Sequence, residues 1–286
     1  MAVYKRTYRG YEGVLTSAWS RFLIITKYAW RGVFGARFLT SFLVACCFFP
    51  LGCAGFIYLA NNLSFLSRFN VDASKWVEIN GRFFLTFLTV QSSFAYILTA
   101  WIGPGLVAPD LSNNGLPLYF CRPLSRTEYV LGKFSVLFLL LSALTWIPGL
   151  LLFGIQASLA GWEWLSKNWW IASSIFLGSV LWVSILSLIA LAMSAWVKWR
   201  IAASALILGV FWLGAGLGAA VNSVLHIHAG TLIDAASLIG IVWSDLFGVT
   251  RSSGISIEEA WFALLGFCVI CVTLLNRKIR AFEVIR

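Results

Sequence analysis

Six stretches of this chain are apolar, uncharged along their bodies and close to the length that crosses a lipid bilayer. They cover about residues 38–60, 83–103, 131–156, 171–193, 201–224 and, shortest, 260–276. A helix needs about 20 mostly apolar residues to span the hydrocarbon core. A core helix of a soluble domain has no use for runs so long. Only 11% of the 286 residues are charged, where a soluble domain carries about 25%. The expected fold is therefore an all-α polytopic membrane protein with six transmembrane helices. Residues 1–286 form a single membrane domain with short loops, which leaves no room for a soluble catalytic domain. The first long run starts near Phe38, after a basic segment too long for the leading region of a signal peptide.

That basic segment has its own pattern. Over residues 14–34, at 100° per residue, Leu15, Ala18, Trp19, Phe22, Ile25, Ala29 and Val33 share one face. Thr16, Ser17, Ser20, Arg21, Lys27 and Arg31 share the other, with Ile24 out of place. A basic polar face opposite a Trp/Phe/Leu face predicts an amphipathic helix lying in the membrane interface, in contact with lipid. Trp19, Phe22 and Ile25 form its apolar centre. The other reading is a soluble helix docked on a partner.

The most polar interruption lies between the second and third spans, residues 104–130. Its first part, with Pro109, Asp110, Ser112, Asn113 and Asn114, reads as a turn-rich surface loop. Further on, Ser125 and Glu128 stand in the Ser-x-x-Glu spacing of a capping box, which predicts a helix starting near Arg126. Leu111, Leu116, Leu118, Tyr119 and Phe120 would give this loop an exposed apolar ridge, with Asp110, Arg122, Arg126 and Glu128 as its polar rim. An exposed ridge of that kind fits a docking surface. The alternative is a plain connection whose arginines anchor headgroups and whose apolar residues pack on the spans.

The remaining segments are shorter arguments. Pro50 and Gly52 predict a kink in the first span. Residues 61–82 are mixed polar and read as an external loop. Trp162, Trp164, Trp169 and Trp170 around Lys167 read as an external aromatic belt. Gly214-x-x-x-Gly218 permits close helix packing. Residues 225–259 are semi-apolar but broken by Asp234, Asp245, Arg251, Glu258 and Glu259, too interrupted to span. A re-entrant or interfacial external segment fits them.

Charge sets the expected orientation. Sixteen of the 21 Lys and Arg residues fall before the first span, around residues 122–133, at 198–200 or in the C-terminal tail. The other five are Arg68, Lys75, Arg82, Lys167 and Arg251. This bias predicts both termini in the cytoplasm. The net charge of +10 therefore points to a membrane surface and membrane lipids, and no nucleic acid is expected.

The chemistry is mostly an argument from missing groups. No charged residue stands in the body of any span, which disfavours ion-coupled carriers and intramembrane hydrolases. No Gly-x-x-x-x-Gly-Lys-Ser/Thr phosphate loop occurs, since Gly132-Lys133 is followed by Phe134. No enzymatic activity, catalytic residue or cofactor is expected in this chain. Cys268-x-x-Cys271 and His226-x-His228 have metal-ligand spacing, but the apolar neighbours Phe267, Val269, Ile270 and Val272 make small core residues the better reading of the cysteines, and two ligands alone leave the histidines as a surface pair. No disulfide is expected, because no cysteine falls in an external loop.

Arg122, Pro123, Leu124, Ser125, Arg126, Tyr129, Gly132 and Lys133 form the pattern RPLSR-x-x-Y-x-x-GK after the second span. This pattern resembles the corresponding loop of permease subunits of ATP-binding-cassette exporters of the type-2 (ABC-2) family. That family is also similar in having an interfacial helix before its first span and short re-entrant external helices before its last. The resemblance implies an exporter permease in a bacterial inner membrane, working as a homodimer or related heterodimer with separate ATPase subunits that hold the ATP and magnesium. It implies contact with the ATPase through Asp110, Leu111, Tyr119, Arg122, Arg126 and Glu128. A non-transporting membrane anchor or assembly subunit shares the same topology and stays open.

Overall fold

A computed structural model describes residues 20–35, 37–62, 78–113, 115–120, 124–197, 199–226, 228–250 and 254–279. Among these residues there are helices and turns but no strands, and six helical segments are long and apolar enough to cross a membrane. The chain is thus an all-α protein of polytopic membrane type.

Helix α1 (Arg21–Phe34) precedes α2 (Arg37–Asn61), the first span, which runs through Pro50 as one helix. Helix α3 (Gly81–Ile102) is capped by Asn80, whose side chain accepts from the Arg82 and Phe83 amides. It ends at Ile102, within one residue of the expected bound of 103, but the chain does not leave the helical path there. Gly103 stays in the right-handed helical region, and Pro104 opens a second helix, α4 (Pro104–Ser112). Proline suits a first helical position, where its missing N–H costs nothing. A short helix, α5 (Leu116–Phe120), follows. Residues 104–112 are therefore helix rather than a turn-rich loop, and Leu106, Val107 and Ala108 are buried.

The third span is also divided. Helix α6 (Arg126–Leu144) and helix α7 (Trp146–Ala160) meet at Thr145, whose φ of −104° and ψ of −84° interrupt the helical ladder. The Thr145 amide and hydroxyl both donate back to the Leu141 carbonyl, at 2.9 and 2.8 Å. A single residue, Gly161, joins α7 to α8 (Trp162–Trp196). Its φ of +85° and ψ of 179° lie in a region open essentially to glycine alone. The tryptophans from 162 to 170, expected to form an aromatic belt, consequently lie in the first turns of a helix.

Helix α8 has 35 residues and organises everything else. At 1.5 Å per residue it is about 52 Å long, well beyond the roughly 30 Å of a hydrocarbon core. It packs against α3, α4, α6, α7 and the two following long helices. Its buried positions include Ser174, Gly178, Ser179, Ser187, Ala190, Ala192, Ser194 and Ala195. Small residues let helix backbones approach closely where lipid gives no hydrophobic drive for association.

Helix α9 (Arg200–Leu225) ends at His226 in the left-handed conformation. A 3₁₀ turn (Ala229–Ile233) then folds back along it. A Cβ on Gly214 would meet the Ile233 carbonyl at 2.9 Å, and one on Gly218 would meet the Gly230 carbonyl at 2.6 Å. The Gly214-x-x-x-Gly218 pair therefore receives this turn rather than another helix. Helix α10 (Ala235–Leu246), capped by Asp234, has 12 residues, most of them apolar, and is about 18 Å long, too short to span. It is nonetheless packed inside, and the Trp243 indole donates to the Gly178 carbonyl at 3.0 Å. The last span, α11 (Ile257–Lys278), starts at a second capping box, Ser256 with Glu259. Its sequence spacing is the same Ser-x-x-Glu that marks α6.

Candidate functional site at the junction of α1, α4 and α6

The capping box at the start of α6 forms as its spacing predicts. The Ser125 hydroxyl accepts from the Glu128 amide at 3.2 Å, and the Glu128 carboxylate accepts from the Ser125 amide at 2.6 Å. With its first turn fixed, α6 presents Tyr129, Gly132 and Lys133 on one face, since residues three and four apart are neighbours on a helix. That face holds two other helices.

Helix α4 is held by charge. Asp110 Oδ2 lies 2.8 Å from Lys133 Nζ and accepts from the Tyr129 hydroxyl at 2.7 Å. The side chains of Lys133 and Asp110 are 9% and 18% exposed. The Lys133 ammonium also lies 5.6 Å from the centre of the Tyr129 ring, and Tyr119 packs on that ring at 5.4 Å. Burial, and then the charge of Asp110, push the Tyr119 phenol above its ordinary pKa. From the other side, Ser194 of α8 pins the first turns of α4. Its hydroxyl accepts from the Val107 and Ala108 amides at 3.2 and 2.9 Å and lies 3.1 Å from the Pro104 carbonyl.

Helix α1 is held by close approach. Gly132 lets the α1 backbone come near enough that a Cβ there would meet Ile25 Cβ and the Phe22 carbonyl at 3.0 Å. The buried Thr26 hydroxyl donates to the Gly132 carbonyl at 3.0 Å. Ile25, Ala29 and Val33, on the predicted apolar face, pack on the protein core. The opposite side exposes Leu23, Ile24 and Tyr28 together with Lys27 and Arg31. Trp19 lies outside the described residues.

The sequence-predicted contact residues thus separate into two sets. Asp110 faces inward, into an ion pair, and is not part of a free polar rim. Leu116 is buried, and Leu111 and Tyr119 pack against the core. Among the described residues the expected exposed ridge reduces to Leu118, which is 73% exposed. The ridge is short because α4 and α5 are helices lying on the spans, so their apolar residues find protein partners. Arg126 is exposed at the start of α6, and Glu128 is engaged in its own cap. Arg122 and the side chain of Phe120 lie outside the described residues.

Sequence reading missed the part played by Lys133, which it placed with the cations of the loop. A signal was present. Asp110 is the lone acid of residues 104–127, and Tyr129-x-x-Gly132-Lys133 has helical spacing. Ser194 carries no such signal.

Two cavities adjoin this framework. One of about 430 Å³ lies among α1, α2, α3, α4, α6 and the start of α9. The other, about 370 Å³, lies among α3, α8, α9 and α10, lined by Tyr96, Trp182, Phe211 and Trp243 with Ser92 and Ser244. No charged side chain lines the second. Among the described residues no three His, Cys, Asp or Glu side chains gather where they would hold a metal. Cys271 is buried in α11, and the His228 ring lies against Gly254. The chain matches no protein-family model, and a search of curated proteins finds no match.

Proposed function

We propose that this chain is the transmembrane permease subunit of an ATP-binding-cassette exporter of ABC-2 type, in a bacterial inner membrane with both termini cytoplasmic. The observation that carries this reading is the α1–α4–α6 junction. A motif resembling the partner-facing loop of such permeases is here the start of α6. Through Tyr129, Gly132 and Lys133 that helix is joined to α4 and α1. Force applied at the exposed Leu118 and Arg126 would pass through a hydrogen-bonded and ion-paired unit into α3 and α8. A separate ATPase subunit would supply that force on closing over ATP, and two permease copies would move together. The uncharged aromatic cavity among α3, α8, α9 and α10 suits an apolar or amphipathic cargo.

The test is co-purification and transport. The tagged chain, drawn from its own membrane, should carry a cassette-type ATPase in equal stoichiometry and support ATP-dependent flux in vesicles. Leu118→Ala and Arg126→Glu should leave the permease folded yet reduce ATPase retention about tenfold. Asp110 is a poor choice for this purpose, because Asp110→Arg would set a second cation beside Lys133 and unfold the junction itself. Purification of a stable, homogeneous chain with no ATPase and no ATP-dependent flux would favour an assembly or anchor subunit.

A further inference from the structure

The cavity of about 430 Å³ has a composition that plain packing defects lack. Its walls are apolar, with Phe38 and Leu39 from α2, Trp101 from α3 and Leu106 from α4, yet two cations, Lys133 and Arg200, also line it. We infer that this cavity is a binding site for the phosphate headgroup of an anionic phospholipid, with the acyl chains leaving along Phe38 and Trp101.

Depth is the first argument. Phe38 is the second residue of α2, Trp101 and Ile102 end α3, and Arg200 opens α9. The cavity therefore lies where several apolar helices begin or end, at a membrane boundary, and basic pockets between helices at that level suit anionic headgroups. Charge is the second. Lys133 is matched by Asp110. The Arg200 side chain makes no hydrogen bond or ion pair with any described residue. Its guanidinium lies beside Gly105, 3.6 Å from where a Cβ would stand, so glycine leaves the space in front of it open. The first turn of α9 has no side-chain cap, and the positive end of its dipole adds to the Arg200 charge. Summed over Lys133, Asp110 and Arg200, one positive charge remains without a partner among the described residues. A guanidinium matches a phosphate with two parallel hydrogen bonds. Exit is the third argument. The Phe38 and Trp101 rings pack at 3.9 Å and are 55% and 38% exposed, so the apolar wall continues onto the outer surface. A soluble anion would gain nothing from that wall, whereas a lipid would.

This site depends only on the membrane character of the chain, so its test is independent of transport. Detergent-purified, delipidated protein is titrated with dioleoylphosphatidylglycerol, dioleoylphosphatidylcholine or inorganic phosphate while the thermal unfolding midpoint is read. Phosphatidylglycerol should raise the midpoint at about tenfold lower concentration than phosphatidylcholine. Arg200→Gln should weaken that response about tenfold, and Arg200→Lys should weaken it by less, since Lys retains the charge but loses the paired donors. Arg200 is exposed at a helix start, so both variants should keep wild-type helicity and elution. Equal responses to the two lipids, or an unchanged response in Arg200→Gln, would overturn the site. A midpoint shift from inorganic phosphate alone with the same Arg200 dependence would overturn the lipid assignment in favour of a soluble anion.

Discussion

Lys133 stands two turns into α6, below a cap that faces water and above a body that faces apolar side chains. A lone ammonium there would be costly, and Asp110 at 2.8 Å with the Tyr129 hydroxyl makes the position tolerable. The pair is a mutual requirement more than a source of net stability, because each charge loses water to reach the other. This argument makes a specific prediction. Lys133→Met leaves Asp110 facing an apolar neighbour, and Asp110→Asn leaves Lys133 without its counterion. Each should cost about 2 kcal/mol, below the full penalty for deep burial because both side chains keep some solvent contact. The double substitution should cost at least about 1 kcal/mol less than the sum of the two, since it removes both charges together. Midpoints of chemical unfolding in detergent would measure the cycle. Additive losses would mean that the two groups do not sense each other and that α4 is held by Ser194 and packing alone.

Helix α1 shows the same logic one level up. Its amphipathic period is plain in the sequence, but periodicity says only that one face is apolar and not whether lipid or protein covers it. The answer lies in Gly132 on a distant segment, whose missing side chain admits the α1 backbone. Gly132→Val should therefore displace α1 while leaving the spans intact, because the Phe22 carbonyl at 3.0 Å cannot yield without the whole helix moving. Overpacking of this kind costs about 1–3 kcal/mol. Trypsin should then cut at Lys27 and Arg31 at least about tenfold faster, with helicity by circular dichroism unchanged. Equal cleavage rates would show that α1 is retained by other contacts. The contrast between what was legible and what was not follows from range. Span number, the α6 cap and the brokenness of residues 225–259 depend on neighbours within a few residues, and all could be read. The division of the third span at Thr145 was missed, although Pro148 three residues on has no N–H to offer the Leu144 carbonyl. The helical state of residues 104–112 was hidden by prolines and asparagines that usually mark turns, while burial of Leu106, Val107 and Ala108 and the Ser194 contacts come from α8, more than 80 residues away.

At the scale of the whole molecule, α6 with α7 and then α8 form two arms of 35 residues joined at Gly161. The arms run in opposite directions, so Ser125 at the start of the first and Ser166 near the start of the second lie about 45 Å apart, by helix rise alone. Both residues are exposed. If these arms cross the membrane, the two serines must be on opposite sides. Which side each occupies is a separate matter, decided by the excess of Lys and Arg near Ser125, which the positive-inside rule assigns to the cytoplasm. Single cysteines at these positions, in a background without the six native cysteines, separate the two questions. An impermeant maleimide applied to intact cells should label a cysteine at Ser166, and should label one at Ser125 only after permeabilisation. Labelling of both from outside would contradict the antiparallel arms and with them the span assignment. Labelling of Ser125 alone would keep the fold but reverse its orientation. Leu118 and Arg126 would then face away from any cytoplasmic ATPase, and the exporter reading would fail while the architecture stood.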